Sequence, residues 1–119
     1  MGDWAIVGGC SAVHQFVRIG EHAMVGGGSR IPQDVPPFTI VEGNPAVVRS
    51  INMIGMQRRG FTEDDVRAMK LAYKKLFLKK GCNIQEGIEA ILADEKYGNN
   101  PNVKKLIDFI NSSERGFIH

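Results

Sequence analysis

The sequence predicts a parallel β-helix of six-residue repeats followed by a C-terminal helical domain. Three observations carry that expectation. β-Branched residues recur every sixth position in the first half, the composition shifts from glycine to lysine along the chain, and capped apolar stripes of helical period fill the second half.

Written in sixes from Ala5, the chain reads AIVGGC, SAVHQF, VRIGEH, AMVGGG, SRIPQD, VPPFTI, VEGNPA. Its third column is Val7, Val13, Ile19, Val25 and Ile31, and its first is Ala5, Ser11, Val17, Ala23, Ser29, Val35 and Val41. Glycine follows the aliphatic residue at Gly8, Gly20 and Gly26. A half-buried strand alternates with period two and a helix repeats at 3.6; neither produces these columns. One bulky and one small inward residue per six suit a coil of three flat faces. Glycine is expected to supply the bends, and stacked coils to pair at about 4.8 Å. The pattern is that of the left-handed β-helix, an exception to right-handed crossover connections. A glycine-rich antiparallel sheet is the simpler alternative, and five aliphatic residues in register argue against it.

Phase breaks after Ile31. Pro37 falls where an aliphatic residue is due, and Pro32, Pro36, Pro37 and Pro45 remove ladder donors. Residues 35–40, followed by Gly43-Asn44-Pro45-Ala46, are therefore expected as the exit from the coil. The division that follows is β-helix coils over 1–47, a linker over 48–61 and an α-helical domain over 62–119. Met1 and Gly2 fall in the aliphatic and glycine columns, so the chain is expected to begin inside a longer coil.

In the second half Thr62 offers a cap, with Glu63, Asp64 and Asp65 at the positive end of a helix. Val66, Met69, Ala72, Tyr73, Leu76 and Phe77 follow at helical spacing, with Gly81 as the stop. Asn83 with Glu86 opens a second helix carrying Ile84, Ile88, Ile91 and Leu92. Asn100-Pro101 opens a third, with Val103, Leu106, Ile107 and Ile110 on one face. These stripes read as core, not as cofactor contacts.

Composition narrows the function. The hydrophobic fraction of 43% supports a packed core. A net charge of +2 without a clustered basic face argues against nucleic-acid binding. Cys10 and Cys82 form neither a Cys-x-x-Cys pair nor a disulfide framework. No signal segment precedes Gly2, and no apolar run nears the roughly 18 residues of a membrane span. The expected compartment is the cytoplasm.

Six segments together carry a resemblance. They are Ala12-Val13-His14-Gln15-Phe16, Gln33-Asp34-Val35-Pro36-Pro37-Phe38, Gly43-Asn44-Pro45-Ala46, Asn52, Gly55-Met56-Gln57-Arg58-Arg59-Gly60-Phe61 and Arg115-Gly116-Phe117-Ile118. Across essentially its whole length the chain resembles the C-terminal part of the UDP-N-acetylglucosamine O-acyltransferase family, a group of hexapeptide-repeat acyltransferases. The resemblance implies transfer of a 3-hydroxyacyl chain from acyl carrier protein to the 3-hydroxyl of UDP-N-acetylglucosamine, the first step of lipid A synthesis. It implies a homotrimer with active sites between subunits, and neither metal nor cofactor. It places the general-base histidine upstream of these residues, so no catalytic residue is assigned here and the chain alone is expected to be inactive. A non-catalytic trimerisation or binding module is one rival, and another hexapeptide transferase is a second, against which Arg58-Arg59-Gly60-Phe61 argues. His14, His22 and His119 without a Cys/His cluster speak against a zinc-dependent β-helical carbonic anhydrase.

Site residues follow residue by residue. His14 stands in the glycine column and, by chemistry alone, reads as a hydrogen-bonded surface histidine; the resemblance makes it and Gln15 substrate contacts. The Gln15 amide can donate and accept, to a sugar, to pantetheine amides, or to a ladder of stacked coils. Arg58 and Arg59 could be solvated linker charges, but guanidinium groups bind phosphate oxygens in pairs of hydrogen bonds, and the resemblance assigns the diphosphate to at least one of them. It likewise assigns Asn52 to the nucleotide sugar, while Ile54 departs from the glutamate usual in relatives. Gly27, within Gly26-Gly27-Gly28, is either a tight bend or, as the resemblance implies, a residue that sets the depth of the acyl-chain pocket. Arg18, Arg30 and the lysines are candidate docking charges for the acidic carrier protein.

Overall fold

The computed structural model describes residues 2–78, 83–113 and 116–119. Met1, Gly81, Cys82 and Arg115, each named above, lie outside the described residues.

Short strands β1 (Ile6–Val7), β2 (Ala12–Val13), β3 (Met24–Val25) and β4 (Arg30–Ile31) form successive sides of a coil. β1 pairs in parallel with β3 and β2 with β4, Val7 with Val25 and Val13 with Ile31, a separation of eighteen residues or three repeats. The aliphatic column points inward, and Val25, Ile31, Val35 and Val41 are fully buried in a core that Ala23, Ile19 and Ile118 complete. Val7 and Val13 are more exposed; among the described residues the first turn has a neighbour on one side only.

The first part of the expected exit, residues 35–40, stays in the coil after a shortening. Ile19 pairs with Val35 and Val25 with Val41, both in parallel and sixteen residues apart. Two residues are lost between Ile31 and Val35, and the aliphatic column then resumes in register. The coil is left later, at Gly43–Ala46, where β5 (Thr39–Gly43) folds back antiparallel on β6 (Ala46–Ile51) through a cis Asn44–Pro45 bond. Residues 48–61, expected as a linker, hold the rest of β6 and helix α1 (Met53–Arg58).

The bends also differ from expectation. Gly8 and Gly20 do not have positive φ; the corners are Trp4, Cys10, Phe16, His22 and Phe38, at φ between 55° and 68°, with Gly28 at 72°. Such backbone costs about 1–2 kcal/mol per non-glycine residue, and bonds between turns hold it. His22 N–H donates to Asp3 O at 2.8 Å, and Phe38 N–H to Glu21 O at 2.9 Å. Glycine is needed at Gly8 for closeness instead, since a Cβ there would lie 2.6 Å from Gly27 N.

Beyond α1 come α2 (Glu63–Tyr73), continued by a π-helical turn at Lys74–Leu78, then α3 (Ile84–Leu92) and α4 (Pro101–Ser112). Thr62 and Asp65 cap α2 reciprocally, each side chain accepting the other's backbone N–H at 3.1 Å. Asn83 caps α3, and Asn100 caps α4 ahead of Pro101. Val66, Met69, Ala72, Leu76, Ile88, Ile91 and the α4 stripe form one core with Phe38 and Ile51. Leu92 does not join it and is 55% exposed, because it is the last residue of α3 and turns outward.

Candidate functional site

The outer face of the β1–β3–β5–β6 sheet carries an aliphatic ladder. Ile6, Met24 and Ile40 are register partners in successive strands. Together with residues 50–55 and Arg58 they line a cavity of about 470 Å³. Arg58, the last residue of α1, is exposed and is the one cation among the described lining residues. Ile54 forms part of the same wall and is 61% exposed. Where the resemblance led to a carboxylate, the wall is therefore apolar.

Asn52 is buried, and both ends of its amide have partners. Oδ1 accepts from Gly55 N–H at 3.1 Å, capping α1, and Nδ2 donates to His22 O at 2.9 Å, tying the helix to the coil. Gly55 must lack a side chain because a Cβ would run into the Asn52 amide. Arg59 does not line this cavity. Its guanidinium lies 3.6 Å above the centroid of the Trp4 ring. Phe61 then meets His22 and Phe38 edge-on at 5.0 and 5.8 Å, while His22 stacks on Phe38 at 5.4 Å. The Arg-Gly-Phe segment thus clips the start of the helical region onto one corner of the coil, formed by Trp4, His22 and Phe38.

Burial holds the His22 imidazole below its ordinary pKa of 6.5, with Lys105 and Arg59 acting in the same direction and Glu21 and Asp3 against it. Sequence reading passed over Trp4 and His22. The signal is present in the sixth column of the repeat, where Cys10, Phe16, His22 and Gly28 stand, beside the aliphatic, small-residue and glycine columns.

His14 and Gln15 lie elsewhere. They follow β2, in the separate β2–β4 sheet, and both are exposed. His14 lines a hollow of about 240 Å³ with Ala12, Val13, Arg30, Ile31 and Pro32, its Nδ1 3.0 Å from Gln15 O. Within one chain the fold therefore does not bring His14 and Gln15 to Asn52 and Arg58. Gly27 is exposed, and the bend belongs to its neighbour Gly28. Arg18 is engaged within the fold. It pairs with Asp34, donates to Phe109 O and Ser112 Oγ on α4, and covers the Phe109 ring at 4.4 Å. Among the described residues no group of three or more His, Cys, Asp or Glu is placed to hold a metal, and no helix is long and apolar enough to cross a membrane.

Comparison with known proteins bears on this geometry. The family described as UDP N-acetylglucosamine O-acyltransferase, domain 2, matches residues 34–118. The acyl-(acyl-carrier-protein)–UDP-N-acetylglucosamine O-acyltransferase of Burkholderia mallei is 48% identical over 99% of this chain and 45% of its own length. An LpxA structure from Acinetobacter baumannii is 39% identical with a TM-score of 0.89, and one from Bacteroides fragilis 33% identical with a TM-score of 0.92. Each match covers 99% of this chain and 45% of the other. The chain thus spans about half the length of the relatives it matches. The chain belongs to the UDP-N-acetylglucosamine O-acyltransferase family.

Proposed function

We propose that this chain is the C-terminal part of a cytoplasmic enzyme that moves a 3-hydroxyacyl chain from acyl carrier protein to the 3-hydroxyl of UDP-N-acetylglucosamine. The observation that carries the reading is Arg58, a lone cation at the rim of an otherwise neutral, largely apolar cavity, within the span matched by the family. A guanidinium there suits a diphosphate, and Asn52 holds the helix that presents it. In the reaction a base removes the proton of the sugar 3-hydroxyl, and the oxygen attacks the thioester carbonyl. Hydrogen-bond donors stabilise the tetrahedral oxyanion, the C–S bond breaks, and the carrier's thiol leaves with a proton. None of the residues discussed above is assigned as that base.

His14 and Gln15 join the same site only if copies meet face to face, and this favours a left-handed, trimeric coil with its helical domain at one end. Support for copies meeting comes from Ile6, Phe16 and Met24, large apolar residues exposed on the outside of the coil. Gly27 then lies where an acyl chain runs between copies.

Arg58→Ala tests the reading. It is expected to raise the KM for UDP-N-acetylglucosamine about ten- to hundredfold, the loss of a charge-assisted hydrogen bond, and to leave the KM for the acyl donor unchanged. Equal effects on both substrates would make Arg58 a structural residue. Sedimentation should give three chains per particle, and a monomer at all concentrations would remove the shared site.

A further inference from the structure

We propose that Trp4 and Arg59 form a clasp that positions Arg58, so that the two neighbouring arginines do different work. This rests on the proposed function. Arg58 meets the anionic part of the nucleotide sugar, and Arg59 is a positioning residue that holds the end of α1 against the coil.

The argument starts from the length of α1. A helix of six residues is far below the roughly 12–15 at which isolated helices become even marginal, and Met56 is its one buried residue. Its geometry must therefore be imposed from outside. At the N-terminus the Asn52 amide reaches His22 O at 2.9 Å. At the C-terminus Arg59 caps the helix, its N–H donating to Gly55 O and Met56 O at 3.2 and 3.1 Å, while its guanidinium sits 3.6 Å over the Trp4 ring. Just beyond, Phe61 packs on His22 and Phe38. All three tethers land on Trp4, His22 and Phe38, corner residues at sequential turns of the coil. Arg58 is the residue immediately before the Arg59 tether. Without the Trp4 anchor the last turn of α1 is free to fray, and the Arg58 side chain loses its fixed place at the cavity rim.

Trp4 is the single tryptophan of the chain, so the clasp carries its own spectroscopic reporter. Arg59→Met should change the Trp4 emission of the unliganded protein, because it removes the cation from the ring face. Arg58→Met should leave that emission unchanged. In the active protein carrying this chain, Trp4→Leu and Arg59→Met are each expected to raise the KM for UDP-N-acetylglucosamine about two- to fivefold, the range of an exposed cation–π contact, with kcat and the KM for the acyl donor unaltered. The double variant should be no worse than the weaker single variant, because both remove one interaction. Trp4→Phe and Arg59→Lys, which keep a ring and a cation, should recover most of the loss. The proposal is overturned if Arg59→Met raises that KM tenfold or more while Trp4→Leu leaves it unchanged, which would make Arg59 a direct phosphate ligand. It is also overturned if Arg59→Met leaves the Trp4 emission unaltered. If the unsubstituted protein neither binds nor acylates UDP-N-acetylglucosamine, the proposed function fails, and the emission result still decides whether the clasp exists.

Discussion

The Ser113 hydroxyl donates to the buried Asp34 carboxylate at 2.7 Å, joining the end of α4 to the coil across 79 residues of chain. The other oxygen of Asp34 accepts the Arg18 backbone N–H at 2.7 Å, and the Arg18 guanidinium lies 3.5 Å from the oxygen that Ser113 meets. Around it the C-terminal segment runs parallel to the coil, Phe117 bridging Asp34 and Ile118 closing the prism core. Asp34→Ala would leave the Arg18 N–H and Ser113 hydroxyl facing an apolar methyl. It is expected to lower the unfolding free energy by about 2–4 kcal/mol, and Ser113→Ala by about 1 kcal/mol, both read from urea denaturation. A loss under about 0.5 kcal/mol for Asp34→Ala would show that burial of Ile118 alone holds the tail.

His22 makes stability depend on pH in a defined window. Because burial lowers its folded pKa below 6.5, the unfolded chain binds the proton more readily. The contribution of neutral His22 is fully present above about 6.5 and declines as pH falls through that value toward the folded pKa. His22→Phe keeps a ring on Phe38 and Phe61 but cannot protonate. Urea midpoints measured from pH 7.5 down to 5 should fall more steeply for the native sequence than for the variant. Parallel curves would place the sensitivity elsewhere.

Gly8 and Gly9 are adjacent but not equivalent. A Cβ at Gly8 would lie 2.6 Å from Gly27 N in the next turn, whereas one at Gly9 would meet nothing within 4 Å. Gly8→Ala is expected to cost about 1–3 kcal/mol, as overpacking does. Gly9→Ala should fall within about 0.5 kcal/mol of neutral. Thermal melts of the two variants decide this, and equal effects would mean that the turns are free to separate.

Gly27 offers a test of the proposed acyl-chain path. A Cβ there would lie 3.3 Å from Gly9 O, tight but short of a clash, so Gly27→Met should fold. If the chain runs past this residue, the variant should prefer donors shorter by about three or four carbons, since each buried methylene contributes about 0.8 kcal/mol. Ratios of kcat/KM for competing donors measure the shift. An equal loss at every length would leave Gly27 as a packing residue only.

The six-residue columns and the caps at Thr62, Asn83 and Asn100 were legible in the sequence because they are local. A repeating backbone sends every sixth side chain the same way, and a cap binds an N–H two or three residues on. Arg58, Arg59, Asn52, His14 and Gln15 were legible as candidates only through the resemblance. Tertiary structure alone decided the rest. It decided that Val35 pairs with Ile19 after a shortened turn, that Trp4, His22 and Phe38 form one corner, that Arg58 faces the cavity while Arg59 covers Trp4, and that His14 stands on a different sheet from Asn52. These contacts join residues sixteen or more positions apart, and they depend on how faces and corners pack once the coil has closed. The corner residues Trp4, Cys10, Phe16 and His22 do recur every six positions, but which of them meet, and what packs on them, leaves no such mark on the chain.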